Sequence, residues 1–453
     1  MTDSPAHSRR YSWYVVVILM IIYVFSFIDR QILSMMVSDL KEGLNLETDW
    51  QAGFLMGPAF AIFYTLFGIP FGRLADTHNR RLVIAMGLGL WSLLTAGCGL
   101  AKNFWQMGLM RVGVGVGEAS LSPSAYSLIA DYFPREKLGR AIAFYGMGIY
   151  LGSGLAYMVG GQLIIAIRDT AAWQLPLLGT IEPWQKVFFF VGIPGLLVVP
   201  ILLLTVREPL RKGLWKRSGS TSGQHSSTIP VSEVFLYMRA NWKTILTHNI
   251  GFALLAFSGL GTTAWLPEMF RRVHGWEMDQ FGLVYGGTFA FFGALGIFSG
   301  GYLSDLLSRR GYGDAKIRVG FLAAWLWFPA GIVFPLVGNA YLAMFLVVPA
   351  VFLTAVPGAL GAASILEMMP NNMRGQTSAI YLLVVNMLGL ALGPLILAVL
   401  TDYIFTVESY GIEGIRYSLL SLTVVAHVVS TLLLWKCMRY FRDSMNRLRE
   451  VTG

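Results

Sequence analysis

The chain has 453 residues, of which 55% are hydrophobic and only 13% are charged. Soluble domains carry roughly 25% charged residues, so this sequence has too little charge to cover a soluble core of its size. The composition therefore excludes a soluble protein and indicates an integral membrane protein, much of whose surface faces lipid.

Twelve apolar segments, taken in chain order, are long enough to cross a bilayer, because a spanning helix needs about 20 residues. They lie near residues 12–36, 50–72, 82–101, 104–130, 138–166, 185–206, 242–270, 280–303, 317–338, 340–369, 374–402 and 415–440. The first is too long for a signal-peptide core and ends at no small-residue cleavage site, so we interpret it as a retained helix. We therefore predict an all-α membrane protein with twelve transmembrane helices.

A polar segment divides the twelve spans into six and six. Residues 207–240 are rich in Lys and Arg and contain the stretch SGSTSGQHSST. A Ser/Gly-rich stretch of this kind forms no packed core and favours a flexible linker. We predict an N-terminal six-helix bundle at 1–206, a linker at 207–240 and a C-terminal six-helix bundle at 241–453.

The basic residues predict the orientation. With the N-terminus inside, the inner segments hold 25 of the 34 Lys and Arg residues and the outer loops hold 7. Cytoplasmic loops are enriched in Lys and Arg, so we predict that both termini and the linker are cytoplasmic. A bacterial inner (plasma) membrane fits this arrangement. The placement of the basic residues also accounts for the net charge of +9 without a nucleic-acid partner.

The two halves repeat each other. The block GRLADTHNRR begins at Gly72 and the block GYLSDLLSRR begins at Gly301, each after the second helix of its half. The matching positions are Gly72, Leu74, Asp76, Arg80 and Arg81 in the first block and Gly301, Leu303, Asp305, Arg309 and Arg310 in the second. A second match relates Pro134 to Pro370. Two matches at equivalent positions indicate an internal duplication.

Four charged residues lie away from the ends of predicted spans: Asp29 and Arg30 in the first, and Arg111 and Glu118 in the fourth. A charge near the bilayer centre costs about 2.5–3.5 kcal/mol, so such side chains face a cavity or a charged partner. Arg111 and Glu118 are seven residues apart and share one helix face, whereas Asp29 and Arg30 point about 100° apart. They could form a functional site, or a static ion-pair network that only joins the two helices.

The second half offers no matching charges. Thr354 stands where the Pro134–Pro370 match would place a counterpart of Glu118. Aromatic residues are instead concentrated in predicted helices 8 and 9: Phe289, Phe291, Phe292, Trp325, Trp327 and Phe328. They could line the path of an amphipathic substrate, or they could face lipid or the protein core.

The sequence contains no motif for catalysis or for nucleotide binding. It has no nucleophile elbow, no metal-ligand cluster and no phosphate-binding Gly-Lys-Ser/Thr, so we predict neither an enzyme nor an ATP-driven pump, and we expect no cofactor. His78, His248 and His274 show no ligand spacing, and we predict that they are solvated residues at helix ends. The duplication favours alternating access over a channel.

The segment GIPFGRLADTHNRR at 68–81 resembles the loop signature between helices 2 and 3 of the major facilitator superfamily. With the twelve spans and the repeat, this resemblance covers essentially the whole chain. Within the superfamily, FIDRQILSMM at 27–36 and RVGVGVGEASLSPSAYSLIADYFP at 111–134 resemble the spinster family, although related sugar-acid transporters share part of the second segment.

The superfamily resemblance implies a cytoplasmic latch that holds the two halves together in the outward-open state. Its residues here would be Gly72, Asp76, Arg80 and Arg81 with Asp305, Arg309 and Arg310. A carboxylate in this loop can cap a neighbouring helix and pair with the arginines that follow it. Gly68 and Gly72 would let a neighbouring helix come close. The alternative to a latch is ordinary anchoring of a short basic loop at the cytoplasmic face.

The spinster resemblance implies transport of lysolipids or sphingoid phosphates, with protons as the coupling ion. In that reading Arg30 binds the anionic headgroup, since a guanidinium offers a bidentate fork. Glu118 is its charge partner and a candidate for proton coupling, Asp29 is a second protonatable group, and Arg111 is a further cation. The alternatives are a transporter of a water-soluble organic anion such as a sugar acid, or a uniporter without protons. We expect a monomer surrounded by membrane lipids.

Overall fold

The structure, a computed structural model, describes residues 9–176, 179–211, 231–370 and 373–452. Helices make up most of this part of the chain, because inside lipid a backbone has to satisfy its own hydrogen bonds. The first-half helices are α1 (Arg9–Met35), α2 (Val37–Gly43), α3 (Asp49–Met56), α4 (Pro58–Thr77), α5 (Arg80–Cys98), α6 (Phe104–Glu118), α7 (Leu121–Tyr132), α8 (Arg135–Gly146), α9 (Gly148–Arg168) and α10 (Pro183–Thr205). An antiparallel hairpin of β1 (Trp173–Leu175) and β2 (Gly179–Ile181) lies between α9 and α10, with Trp173 opposite Ile181.

The second half is also helical. Its helices are α11 (Val231–Ala240), α12 (Trp242–His274), α13 (Met278–Thr288), α14 (Ala294–Arg309), α15 (Ala315–Leu326), α16 (Phe328–Leu336), α17 (Ala340–Ala355), α18 (Leu360–Glu367), α19 (Arg374–Val385), α20 (Gly393–Tyr403), α21 (Val407–Tyr410) and α22 (Gly414–Thr452). Two π-helical segments, Phe289–Gly293 and Asn386–Leu392, join α13 to α14 and α19 to α20, and a 3₁₀ turn, Gly411–Glu413, precedes α22.

Eleven helical stretches of the described chain are long and apolar enough to cross a membrane. The one predicted span missing from these eleven is the fourth, near 104–130. It is occupied by two shorter helices, α6 and α7, which Ala119 and Ser120 separate. The Ser120 hydroxyl donates to the carbonyl oxygen of Gly117 at 2.8 Å. Pro123, in the first turn of α7, has no N–H with which to extend the α6 hydrogen bonds. The predicted all-α membrane architecture is confirmed, with one of its spans broken.

The predicted linker at 207–240 is only partly within the described residues. The Ser/Gly-rich stretch at 218–228 lies outside them. The end of the predicted linker is helix α11, Val231–Ala240, whose residue Val234 is buried. This part of the segment is therefore ordered structure and not a tether.

The described residues form two compact units. One comprises those of 1–214 together with Phe270–Ala290, and the other comprises those of 215–269 together with those of 291–453. Residues 270–290 group with the first unit, and the described parts of the predicted linker are divided between the two units.

Residues 270–290 group with the first unit because helix α13 packs closely along α9. A Cβ added at Gly286 would lie 2.6 Å from the carbonyl oxygen of Gly154, and Gly161 and Gly282 likewise face the backbone of the opposite helix. Small residues at such positions let two helix backbones approach each other. We call these four glycines the glycine seam.

Candidate functional site

The first unit brings α1, α4, α5 and α6 together around the four charged residues predicted to lie in the membrane. Glycines on α6 make this possible. A Cβ at Gly115 would lie 2.5 Å from the carbonyl oxygen of Phe60 on α4, and one at Gly117 would lie 2.9 Å from the backbone nitrogen of Trp91 on α5. The glycines therefore serve close helix packing, which places the α6 side chains Arg111 and Glu118 against neighbouring helices.

Arg30 and Glu118 form a buried ion pair between α1 and α6. The Arg30 Nε and Nη2 atoms lie 2.7 Å and 2.6 Å from Oε2 of Glu118. The Ser26 hydroxyl, one turn earlier on α1, donates to the same oxygen at 2.6 Å. The other oxygen, Oε1, is buried and has no hydrogen-bond partner among the described residues. One carboxylate oxygen thus holds the arginine, and the other can accept a proton without breaking an existing contact.

Three aromatic rings surround the Arg30 guanidinium. Its central carbon lies 4.8 Å, 4.7 Å and 4.6 Å from the ring centroids of Phe27, Phe60 and Tyr64. Contacts of this kind stabilise a cation by roughly 0.5–2 kcal/mol, most where water is excluded. The Arg30 side chain is nevertheless 14% exposed, whereas that of Glu118 is fully covered. Any anion that reaches this pair therefore meets Arg30 first.

Asp29 faces a different helix from its neighbour Arg30, as the 100° step between adjacent helical residues requires. Its Oδ2 atom accepts a hydrogen bond from the Thr95 hydroxyl on α5 at 3.0 Å. The residue is buried, and Oδ1 has no partner within the described chain. Asp29 is therefore a second carboxyl with an oxygen open to a proton.

Arg111 is fully buried on α6. Its Nε atom lies 3.5 Å from the carbonyl oxygen of Leu55, and its guanidinium lies 5.2 Å from the centroid of the Phe60 ring. It makes no ion pair with any described residue. The same Phe60 ring therefore contacts both Arg30 and Arg111. Sequence reasoning missed Phe60, since a lone aromatic residue in an apolar helix carries no distinguishing pattern.

Arg80 is the buried charged residue of the first-half loop motif. This residue is 1% exposed and pairs with Asp131 at the end of α7 and with Glu208 after α10, the latter at 2.7 Å. The prediction that Asp76 pairs with the arginines after it is wrong for Arg80. Asp76 is exposed and makes no ion pair within the described residues.

Arg81 and the two motif glycines have different surroundings from Arg80. Arg81 donates to the carbonyl oxygens of Leu203 and Val206. A Cβ at Gly68 or Gly72 would meet no described atom within 4 Å, so the structure shows no close helix at these two positions. Their expected contact stays a prediction.

The repeated motif in the second half is not the counterpart of this network. Asp305, Arg309 and Arg310 are exposed and form no ion pair with described residues. A different acid, Asp314, is buried there and accepts from Arg318 and Arg442. Neither Asp314 nor Asp131 was predicted, because Asp131 pairs with Arg80 and Asp314 with Arg442 across long sequence separations that a local motif does not show.

The second half contains polar residues that the sequence did not reveal. His248 is fully buried, so its predicted solvation is wrong. Its ring nitrogens lie 2.9 Å from Oδ1 of Asn249 and 2.7 Å from the Ser364 hydroxyl. Thr354 donates to its own helix at Ala350. Within the described residues, no group of three or more His, Cys, Asp or Glu side chains could hold a metal ion.

The aromatic residues predicted in helices 8 and 9 do not share one environment. Phe291 and Trp325 are exposed, whereas Trp327 is buried and stacks on the ring of His427 at 3.9 Å. Phe289 lies near Tyr150, Tyr157 and Tyr285 in the first unit. The six rings therefore do not form a single apolar surface.

A family model described as the Major Facilitator Superfamily matches residues 19–394. An MFS-type efflux pump of Mycolicibacterium smegmatis is 24% identical over 98% of this chain and 96% of its own. A probable L-galactonate transporter of Escherichia coli is 25% identical over 65% of this chain and 62% of its own. Protein spinster homolog 1 of Rattus norvegicus is 31% identical over 58% of this chain and 47% of its own. The chain thus spans less than two thirds of the length of the last two relatives.

A solved structure has the same fold along nearly the whole chain. The crystal structure of a bacterial homolog of the human lysosomal transporter Spinster, in an inward-facing and unoccupied conformation, superposes with a TM-score of 0.81. The two chains are 28% identical, and the match covers 96% of this chain and 99% of the other. These comparisons confirm the predicted fold class and the predicted resemblance to spinster proteins.

Proposed function

The chain belongs to the Major Facilitator Superfamily, and from this membership we propose that it carries an amphipathic anionic lipid by alternating access, coupled to protons. Members of this family are transporters and not enzymes, and the chain is an integral membrane protein. The proposed cargo is a lysophospholipid or a sphingoid phosphate, because the resemblance to the spinster family implies a cargo of this class. The likeness to spinster proteins in sequence and in structure supports this choice.

The Arg30–Glu118 pair carries the proposal. A guanidinium can bind a phosphate in the same two-point manner in which it binds a carboxylate. Because Arg30 is the more exposed partner, an incoming phosphate competes with Glu118 for its N–H groups. The three aromatic rings hold the arginine in place during the exchange.

The exchange of partners links the cargo to a proton. A buried carboxylate that loses its cation is strongly penalised as an anion, so it takes up a proton when one is within reach. Oε1 of Glu118 and Oδ1 of Asp29 are the atoms that accept it in this proposal. When the cargo leaves and Arg30 returns to Glu118, the carboxylate is stabilised as an anion and the proton is released.

A water-soluble organic anion is the second candidate cargo. The observation in its favour is the similarity to a probable L-galactonate transporter over 65% of this chain. A sugar acid presents a carboxylate to Arg30 in place of a phosphate, and it has no acyl chain that needs an apolar surface. The two cargo classes therefore differ in what they require beyond Arg30.

A thermal-shift panel on the purified protein distinguishes the cargo classes. We expect an anionic lysophospholipid or sphingoid phosphate to raise the melting temperature of the wild type but not that of Arg30→Ala. A zwitterionic lysolipid controls for detergent effects, and L-galactonate represents the sugar acids. A shift produced by L-galactonate and not by the anionic lipids would establish the second candidate instead.

Reconstituted vesicles test proton coupling once a cargo is identified. We expect an imposed pH gradient to change the rate or the final level of accumulation in the wild type. Asp29→Asn keeps an oxygen that can accept from Thr95, so it removes a proton site with little change in packing. If the gradient changes neither quantity in the wild type, the protein is a uniporter and the roles of Asp29 and Glu118 are wrong.

A further inference from the structure

A cationic cleft in the second unit is unrelated to the Arg30–Glu118 site. It lies between the start of α15 and the last part of α22 and has a volume of about 460 Å³. Four basic side chains and two aromatic ones line it: Arg318, Trp435, Lys436, Arg439, Tyr440 and Arg442. We call it the α22 cleft. A volume of this size is typical of ligand sites, which run from about 300 to 1,000 Å³.

A buried carboxylate fixes two of the four cations. Asp314 is 1% exposed and lies 3.2 Å from Nη2 of Arg318 and 3.2 Å from Nη1 of Arg442. Arg318 also lies 4.5 Å from the centroid of the Tyr312 ring. One acid therefore positions two guanidinium groups, and it neutralises only one of their charges.

The other two cations lack an acidic partner. Lys436 and Arg439 are exposed and make no ion pair with any described residue. They are three residues apart, as are Arg439 and Arg442, so the three side chains follow one side of α22. The cleft thus concentrates positive charge that the described chain leaves uncompensated.

Aromatic and apolar side chains place the cleft at the edge of the bilayer. Trp435 is 58% exposed, and Leu432, one turn deeper in the span, is 53% exposed. Lys243, beside the cleft, lies 5.9 Å from the Trp242 ring and 5.8 Å from the Tyr440 ring. Trp and Tyr concentrate at membrane interfaces, where rings meet headgroups. An occupant with a phosphate and an acyl chain could lay its chain along Leu432 and Trp435.

We propose that the α22 cleft binds the phosphate headgroup of an anionic membrane lipid from the leaflet that the sequence assigns to the cytoplasm. Basic pockets between transmembrane helices on that side suit such headgroups. Guanidinium groups held by a buried acid favour two-point binding of a phosphodiester. Soluble phosphate shares the headgroup chemistry, but it makes no use of the exposed Leu432 and Trp435.

The first unit supplies a matched control for ordinary surface charge. Lys137 and Arg140 on α8 have the same three-residue spacing as Lys436 and Arg439. They are also exposed and unpaired within the described residues. If lipid binding reflects only general attraction to basic residues, both pairs contribute equally. If the cleft matters, only the α22 pair does.

Native mass spectrometry of the full-length protein, from micelles containing cardiolipin, phosphatidylglycerol or phosphatidylcholine, measures the retained lipid. We expect the wild type and Lys137→Gln/Arg140→Gln to retain the anionic lipids. We expect Lys436→Gln/Arg439→Gln to lose roughly 30-fold in affinity, because two basic residues contribute roughly 1 kcal/mol each. Lys436→Glu is a second variant should the double variant fold poorly, and melting in lipid-free detergent checks folding.

Two results would overturn the proposal. One is equal retention by the two double variants, whether both keep the lipid or both lose it. The other is stabilisation of the wild type by glycerol phosphate to the extent seen with phosphatidylglycerol, since the ligand would then be a soluble phosphate. The measurement uses no transported cargo, so its outcome does not depend on the proposed function.

Discussion

At the scale of single residues, Arg30 is the side chain on which the proposed mechanism depends. It contacts one carboxylate oxygen and three aromatic rings at once, and the two kinds of contact use different properties of the guanidinium. The N–H groups bind the carboxylate, and the positive charge lies over the three aromatic rings. A lysine ammonium carries the same charge but has neither the fork nor the flat face.

We predict that Arg30→Ala and Glu118→Gln abolish transport while the protein still folds and inserts. Arg30→Lys should restore little of the activity. The reason is that charge alone does not reproduce the two-point contact with Glu118 or with an anionic cargo. Uptake into proteoliposomes, with the melting temperature measured in parallel, checks both parts. Near wild-type transport by Arg30→Ala or by Glu118→Gln would rule out the buried-charge mechanism.

The sequence identified the charged residues of this site but not their contacts. Asp29, Arg30, Arg111 and Glu118 could be recognised because a charge within an apolar span is costly and therefore conspicuous. Thr95 and Phe60, which contact Asp29 and the two arginines, are ordinary residues of apolar helices. Their role depends on which helices pack together, and a hydropathy pattern does not contain that information.

At the scale of helices, Arg80 joins three elements of the first unit. It lies at the start of α5 and bonds to Asp131 on α7 and to Glu208 beyond α10. Its repeat counterpart, Arg309, lies at the end of α14 and is exposed. The two halves therefore share the sequence motif but not the ion pairs that Arg80 forms.

We predict that Arg80→Gln clearly lowers the melting temperature, whereas Arg309→Gln leaves it nearly unchanged. Removing one partner of a buried ion pair typically costs about 3–5 kcal/mol, since the remaining charges stay buried without compensation. An exposed, unpaired arginine contributes little to stability. Thermal unfolding of the purified variants provides the comparison. Equal shifts in the two variants would show that burial of Arg80 does not stabilise the fold.

At the scale of the whole molecule, hydropathy and the repeat predicted the fold class because span length and charge placement are set by the bilayer. The break between α6 and α7 was not predicted, since the combined segment is apolar enough for one helix and the interruption depends on Ser120 and Pro123. Helix α11 within the predicted linker and the grouping of residues 270–290 with the first unit were also not predicted. Both depend on packing and not on composition. The cytoplasmic location of the termini, the bacterial inner membrane and the monomeric state stay predictions.

We predict that Asp76→Asn shifts the resting population towards an inward-open state, because the proposed latch exists in only one of the two states. Asp76 forms no ion pair in this structure, so a latch contact would have to form in another conformation. Distances between spin labels at the inner ends of α7 and α18 report the change. Asp443→Asn, another exposed acid outside the motif, is the charge-matched control. Unchanged distance distributions in Asp76→Asn would remove the latch from the mechanism.

The glycine seam between α9 and α13 affects how easily these two helices could slide along each other. Helices that interlock through large side chains must disengage them before they move past each other. Along the glycine seam, backbone lies against backbone at Gly154, Gly161, Gly282 and Gly286, so there are few side chains to disengage. The absence of side chains would thus lower the energy barrier to any sliding of α13 along α9. A single methyl group at Gly286 would raise that barrier, because it would collide with the backbone of Gly154.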